Sequence, residues 1–467
     1  MPDKKNIDKK NINKKIPQKK KVVPKVDSIK IITILFAILI ICLIAIRIKK
    51  ETNETAVTSA KVSQLFSSID TAVSANITKY IVYGTYFNLE GTLEAPKISG
   101  ISIDCVDLIA KNISGNELII PSNYTYSNGT LAFSSCDEIN SGLNLESLTI
   151  DKYFLLLKVT YSNSDVRYYS FSNSTEYGKI DYYTITKNNT NNQLEINFDI
   201  YNNISYMFIN VAKCDKLPDN VYDIVIDPGH GGLDAGAVSK NQKEAEIVLD
   251  CAKILKEKLE NLGLKVKLTR DGTEQRNLDT AYNMYDDDGR ITIINESGSK
   301  IAISLHLNSN TSKVKDGGLE VYAPSNCNLD FARSLADNIT SLSGASYSNL
   351  TTYKKYDGVY VRNFTNSDIL GFKSKAEKSG YEPYNITTST PYLYLIREIG
   401  GICTNAFVDG RNTAYSANKY VNSNVGVEGY LIELGYMIVD SDLQNVLNNK
   451  DLYMEGISKS IQEFYLN

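Results

Sequence analysis

An apolar run that stops abruptly at a glycine-rich loop around a histidine constrains this chain more than any other feature. The run is Val221–Asp227, and Pro228-Gly-His230-Gly-Gly232 follows it directly. Such a run is typical of a buried strand, and the glycines let other groups approach the loop closely. The only other histidine in the 467 residues, His306, ends a similar run, Ile301–Leu305. Two histidines at strand ends predict a metal site.

The net charge of −4 conceals two parts of opposite charge. Residues 1–50 carry 14 basic and 3 acidic side chains, and the remaining chain carries 36 basic and 51 acidic ones. An acidic main part binds nucleic acid poorly, so we expect no nucleic-acid partner. We predict a disordered, basic cytoplasmic tail over residues 1–30. The apolar stretch 31–48 approaches the roughly 20 residues that cross a bilayer and predicts a transmembrane helix.

The lysines before this stretch set the expected orientation. Because cytoplasmic flanks carry the excess of Lys and Arg, we expect a single-pass protein of the cell membrane with a cytoplasmic N-terminus. Everything after it would then lie outside, on the cell-wall side. The alternative is a cleaved signal peptide, for which Thr58-Ser-Ala60 offers small residues.

Two segments with different patterns follow the apolar stretch. Residues 49–79 are predicted to form a stalk with a short amphipathic helix. Residues 80–215 contain β-branched and aromatic runs between Asn, Ser and Gly clusters, which predicts an all-β domain built as a sandwich or barrel. This domain would be a spacer or a binding module for a wall polymer or a protein partner. The seven cysteines show no CxxC spacing, and we assign no disulfide.

Residues 219–467 alternate between strand and helix patterns. A helical face begins at Glu244, a second strand runs from Leu264 to Thr269, and together with Val221–Asp227 they make a parallel β-α-β unit. Functional groups of such sheets gather beyond the carboxyl ends of the strands. His230, His306 and Glu433 all follow or end strand-like runs.

A carboxylate is available to complete a metal site. Glu244 opens the first helix just after the His230 loop, so its side chain can face back toward the imidazole. Two histidines, one glutamate and a free fourth position are a catalytic zinc set, in which the metal lowers the pKa of water to about 7 and polarises a carbonyl. Glu246 is the alternative ligand, although it faces another side of the helix.

Hydrolysis also requires a group that takes and returns a proton. Glu433 is a charge within the apolar run Tyr430–Tyr436, and burying it is costly unless it is paired or functional. A salt-bridged glutamate would explain it equally well in isolation. Together with both histidines, we interpret it as the general acid and base.

Seven short motifs in order now resemble one known family. They are Asp227–Gly232, Lys243-Glu244, Thr269-Arg270, Arg290 with Asn295, Ser304–Asn308, Gly317–Tyr322 and Ile432–Tyr436. Over about residues 221–467 they resemble the zinc-dependent N-acetylmuramoyl-L-alanine amidases of the type 3 family. The resemblance implies that His230, Glu244 and His306 hold Zn²⁺ and that Glu433 is catalytic. It also implies cleavage of the amide between N-acetylmuramic acid and L-alanine in peptidoglycan.

The resemblance further implies a largely parallel six-stranded sheet with helices on both sides. The predicted fold class is therefore multi-domain, with this α/β domain preceded by the all-β domain and the transmembrane helix. Asn308 and Arg397 are candidate substrate contacts. Arg397 would anchor a substrate carboxylate, stabilise charge or pair with Glu398.

Residues 350–427 depart from the compact family pattern and form an insertion whose role, including that of a lid or autoinhibitory segment, is open. Two other functions also fit the residues. One is a non-catalytic wall-binding or scaffold protein with an amidase-like fold, and the other is a zinc hydrolase of a different amide.

Overall fold

Two β-sheets dominate the computed structural model of the chain. The structure describes residues 60–94, 101–135, 141–172, 178–278, 283–309, 317–325, 327–378, 380, 386–399 and 425–467. The predicted tail (1–30) and transmembrane segment (31–48) lie outside these residues. In the part that is described, none of the helices has both the length and the apolar character needed to cross a membrane.

The first sheet begins after a helical segment, α1 (60–67). Its strands are β1 (Ile69–Tyr83), β2 (Tyr86–Glu94), β3 (Ile103–Asn112), β4 (Glu117–Ser127), β5 (Thr130–Ser134), β6 (Leu143–Asn144), β7 (Lys152–Tyr161), β8 (Val166–Ser172), β9 (Ile180–Tyr183), β10 (Asn191–Tyr201) and β11 (Ile204–Cys214). A single 3-10 turn, Leu145–Ser147, follows β6.

Strand β8 closes part of this sheet into a barrel. It pairs with β1 on one side and with β7 on the other, which completes the circle β1-β2-β5-β4-β3-β7-β8. Side chains that alternate along the strands fill its interior, among them Leu89, Leu108 and Leu157, all fully buried. The first half of β7 pairs with β11, so β11, β10 and β9 continue the sheet beyond the barrel.

The C-terminal part alternates strands and helices. Its elements are β12 (Ile224–Pro228), β13 (Val238–Ser239), β14 (Gln242–Lys243), α2 (Glu244–Asn261), β15 (Val266–Leu268), α3 (Arg290–Glu296), β16 (Ile301–Asn308), β17 (Glu320–Tyr322), α4 (Leu329–Ser343), β18 (Lys354–Tyr356), β19 (Val359–Tyr360), α5 (Asn366–Lys378), α6 (Tyr394–Ile399), β20 (Val425–Gly426), β21 (Glu428–Tyr436) and α7 (Asp440–Ile461). The chain also forms a 3-10 turn at Asn283–Tyr285 and a π-helical turn at Gln462–Leu466.

The second sheet has the strand order β15-β12-β16-β21-β17-β19-β18. Strands β15, β12, β16 and β21 are parallel, whereas β17 runs antiparallel to β21. Apolar side chains of α2, α4 and α7 cover one face of the sheet, and those of α3, α5 and α6 cover the other. The carboxyl ends of β12, β16 and β21 therefore meet along one edge.

The two sheets meet at the amino-terminal end of β21. Strand β20 pairs with β1 and leads directly into β21, and the Gly84 N–H donates to the Gly426 carbonyl at 2.9 Å. The hydroxyl of Tyr83 lies 3.3 Å from the Cys327 sulfur. Residues Leu65–Asn467 form one compact unit.

These observations correct the predicted fold class, which was wrong. The described chain is mostly β-structure, with a closed barrel of seven strands in its first part. The second sheet is mixed and has seven strands rather than six, two of which are the hairpin β18–β19 of the insertion at one edge. No membrane-spanning helix occurs among the described residues.

Candidate metal centre

His230 lies just beyond the carboxyl end of strand β12. Proline and glycine end the strand, and His230 then adopts a φ of 58°, in the left-handed region that side chains usually avoid. Gly231 and Gly232 continue with φ of 113° and 60°. This backbone turns the imidazole back toward helix α2.

Glu244 lies between the two histidines. It is 3% exposed, and its Oε1 lies 3.1 Å from His230 Nε2 and 3.2 Å from His306 Nδ1. The same carboxylate accepts the N–H groups of Leu307 and Ala237, each at 2.9 Å. Burial alone would raise its pKa, but the hydrogen bonds and charges of the two histidines outweigh burial and lower the pKa. The carboxylate of Glu244 is therefore ionised and lies between the two imidazoles, where it could bind a metal ion.

His306 sits on β16 beside the same carboxylate. Burial lowers the pKa of His306, but the hydrogen bond with Glu244 reverses the effect, and the net direction is upward. The two imidazole rings are 5.0 Å apart at an interplanar angle of 76°. Ligand atoms of His230, Glu244 and His306 all lie within 4.8 Å of one another.

The residues at this site fit a zinc ion. Two imidazole nitrogens and one carboxylate oxygen are the donor set of a catalytic zinc site, which keeps one position open. Two glycines leave room for the donors to converge. A Cβ at Gly229 would lie 2.1 Å from His306 Cε1, and one at Gly236 would lie 2.7 Å from both Glu244 Oε2 and His230 Cδ2.

Asp234 orients the first histidine, a role that the sequence did not reveal. Its Oδ2 lies 3.1 Å from His230 Nδ1, and its Oδ1 accepts the Gly236 N–H at 2.9 Å. A carboxylate on the second ring nitrogen fixes the tautomer of a metal-binding histidine and raises its basicity. The sequence feature that could have predicted this contact is an aspartate four residues after the histidine, in the same glycine-rich loop.

Glu433 lies next to the metal ligands. Strand β21 pairs it with His306 on β16, so both side chains project from the same face of the sheet. Its Oε2 is buried and has no hydrogen-bond partner in the described part of the chain. Burial, and then repulsion by Glu244 and Glu320, raise the pKa of Glu433 to about 8, against the opposing attraction of His306. The buried carboxyl thus lies beside His306, on the strand next to the cluster of His230, Glu244 and His306.

Residues 224–372 match the family described as N-acetylmuramoyl-L-alanine amidase. This segment belongs to the type 3 family of those amidases. The chain is 32% identical over 157 residues to the N-acetylmuramoyl-L-alanine amidase AmiA of Escherichia coli. This match covers 32% of this chain and 51% of AmiA. It is also 32% identical over 115 residues to the germination-specific N-acetylmuramoyl-L-alanine amidase of Bacillus subtilis, covering 23% of this chain and 47% of that protein.

The chain thus spans about half the length of these curated relatives. Among solved structures, it is similar to the N-acetylmuramoyl-L-alanine amidase of Clostridium difficile 630, with a TM-score of 0.33 and 20% identity. That match covers 53% of this chain and 97% of the solved chain.

Asn308, a predicted substrate contact of the type 3 segment, is close to the metal ligands. It ends β16 two residues after His306, and its Nδ2 donates to Glu320 Oε2 at 3.1 Å. The bond fixes the orientation of the amide at the edge of the site.

Arg397 lies in a helix and does not follow a strand as predicted. The run before it is not a strand, because Tyr394–Ile399 forms helix α6. The guanidinium is 3% exposed, donates from Nε to Glu398 Oε1 at 3.1 Å and from Nη1 to the Tyr392 carbonyl at 2.7 Å. Of the three roles considered for Arg397, this geometry favours the pair with Glu398.

Two remaining expectations concern the neighbouring helix and the insertion. Glu246, the alternative ligand, is exposed and pairs with Lys243 at 2.7 Å, so it does not face the histidines. Residues 400–424 of the insertion lie outside the described residues. In the described part of the insertion, β18 and β19 join the second sheet, and α5 and α6 pack on one face of that sheet.

Proposed function

We propose that this protein is a zinc-dependent amidase that cleaves peptidoglycan between N-acetylmuramic acid and L-alanine of the stem peptide. The single observation that carries the proposal is the convergence of His230, Glu244 and His306, with ligand atoms within 4.8 Å of one another and Glu433 on the adjacent strand. Membership of the segment in the type 3 family selects this amide among possible substrates.

Individual residues have different roles in the proposed reaction. His230, Glu244 and His306 would hold Zn²⁺, which supplies a water of lowered pKa and polarises a carbonyl. Glu433 takes a proton from the attacking water and returns it to the leaving nitrogen of L-alanine. Its unpartnered Oε2 and raised pKa suit a group that exchanges protons near neutral pH. Asp234 keeps the His230 ring in one orientation.

A digestion of purified cell walls tests the proposal. New amino-terminal L-alanine without new reducing sugar ends is the expected product, and treatment with a chelator should stop its release. New reducing ends would instead identify a glycosidase. Zinc binding without any product would favour a wall-binding or scaffold protein. Cleavage of other amides alone would favour a zinc hydrolase of a different amide.

The proposed substrate also suggests where the protein acts. Peptidoglycan lies outside the cytoplasmic membrane, so we propose that residues 65–467 act on the cell-wall side. A protease added to intact, wall-stripped cells should then digest this part. Full protection from the protease would contradict the location.

A further inference from the structure

The loop that carries His230 is held in an unfavourable conformation. His230 has a φ of 58°, a left-handed conformation that is unfavourable for a residue with a side chain. The next two residues are glycines, which restrict the backbone little. A strained segment of this kind keeps one conformation only when its surroundings fix it.

Two buried arginines supply that restraint. Arg290 donates from Nη1 to the Pro228 carbonyl at 3.0 Å and from Nη2 to the His230 carbonyl. Arg270 donates from Nε to the Pro228 carbonyl at 2.7 Å and from Nη2 to the Gly229 carbonyl at 2.8 Å. Three successive carbonyls of the loop are thus hydrogen-bonded to guanidinium groups. Arg270 and Arg290 are 5% and 3% exposed.

Arg270 makes one contact that Arg290 does not. Its Nη2 also donates to the Ala245 carbonyl at 2.7 Å, immediately after Glu244 in the first turn of α2. One guanidinium therefore joins the loop that carries His230 to the helix that carries Glu244. The group packs tightly, since a Cβ at Gly231 would lie 2.7 Å from Arg270 Cδ and Nε.

We propose that Arg270 is a positioning residue that sets the separation of His230 and Glu244 and thereby the affinity of the metal site. This inference rests on the proposed zinc site. Arginine suits the task because its planar group directs several N–H donors in fixed directions, so that Pro228, Gly229 and Ala245 are held at once. Lysine keeps the charge but donates from a single nitrogen, and it cannot reproduce this geometry.

The variant Arg270→Lys separates positioning from charge. Zinc affinity, measured by competition with a chelator, should fall about 10- to 100-fold, the usual loss for groups that orient metal ligands. The visible absorption of the Co²⁺-loaded protein should change as well, because it reports the ligand geometry. Arg333→Lys is the matched control, since Arg333 is an exposed arginine of α4. It should bind zinc like the parent.

A second variant excludes a purely structural role. Arg270→Ala leaves space for a guanidinium group, so added methylguanidinium should restore part of its zinc affinity. Parent affinity in Arg270→Lys, with only a lower melting temperature of the metal-free protein, would overturn the proposal. A variant that is unfolded without metal and stays unfolded with methylguanidinium would also overturn it, because Arg270 would then serve the fold. A parent protein that binds no zinc would instead refute the proposed function.

Discussion

Glu320 and Glu433 lie directly opposite each other on the antiparallel strands β17 and β21. Glu320 is fully buried and accepts hydrogen bonds from four side chains: Asn308 at 3.1 Å, Tyr322 at 2.9 Å, Ser348 at 2.6 Å and Tyr436 at 2.5 Å. Glu433 Oε2 has no such partner among the described residues. Burial, and then repulsion by Glu244 and Glu320, raise the pKa of Glu433, so its carboxyl favours a proton.

Glu433→Gln should remove the proton carrier without removing the metal. We expect release of L-alanine amino termini to fall at least about 100-fold, the usual contribution of a general acid or base. Zinc content should stay at the parent level, since Glu433 is not one of the three converging donors. Both quantities can be measured on the same preparation. Near-parent turnover in this variant would exclude Glu433 from the chemistry.

Glu244 and Glu246 provide a matched pair on one helix turn. Glu244→Gln should lose zinc, because an ionised oxygen between two histidines is replaced by a neutral amide. Glu246→Gln should retain both zinc and activity, because Glu246 is exposed and contacts Lys243. Metal analysis after dialysis distinguishes the two variants. Equal zinc loss in both would indicate a general effect on α2.

The convergence of His230, Glu244 and His306 could be predicted from sequence because strand ends and a helix start are local features. The pattern predicted strand β12, helix α2 and strand β16, and each is present, although β12 begins at Ile224 rather than Val221 and β16 continues to Asn308. Parallel packing then brings their ends to one edge. Pairings between strands that are distant in sequence cannot be predicted from such local patterns. Nothing in β8 alone indicates that it pairs with both β1 and β7 and closes a barrel.

Helix and strand were also confused where a short apolar run was the only signal. The run before Arg397 was predicted as a strand but forms α6, whose buried Ile399 side chain lies against β21 at Gly429. A short apolar run fits either structure until its neighbours are known. The restraining contacts of Arg270 were equally hidden, because they go to backbone carbonyls, which carry no residue-specific pattern.

Gly229→Ala should disturb the metal site selectively. The added Cβ would lie 2.1 Å from His306 Cε1, so the imidazole must leave its present position, in which Nδ1 lies 3.2 Å from Glu244 Oε1. We expect zinc affinity to fall, whereas the metal-free protein should keep its fold. Gly371→Ala in α5 is the control, because no other group lies within 4 Å of the added Cβ. Titration with zinc and thermal melting of both variants check the prediction, and unchanged affinity in Gly229→Ala would contradict it.

Glu428→Gln should raise stability in a pH-dependent way. Burial raises the pKa of Glu428 from 4.5 to about 7, although a hydrogen bond from Tyr430 opposes the shift. The folded state therefore binds more protons than the unfolded state between these values, and the stability of the parent falls as pH rises through that window. The neutral amide removes this penalty, which is on the order of 3 kcal/mol above pH 7.

Urea unfolding of the metal-free protein at pH 5 and pH 8 measures this effect. The gain from Glu428→Gln should be large at pH 8 and small at pH 5. The exposed Glu257→Gln serves as control and should show little difference at either pH. A gain that is equal at both pH values would rule out ionisation of Glu428 as its cause.

Gly84→Ala should weaken the junction between the barrel and the C-terminal sheet. Gly84 has a φ of 57°, and a Cβ there would lie 2.8 Å from Glu428 Cγ at the start of β21. Gly129, in the turn between β4 and β5, has a φ of 90° and nothing within 4 Å of such a Cβ. Both variants carry the cost of a side chain at positive φ, about 1–2 kcal/mol, but only Gly84→Ala adds a clash of about 1–3 kcal/mol. Urea unfolding should therefore show the larger loss for Gly84→Ala. Equal losses would mean that the β1–β2 turn does not support the strand that carries Glu433.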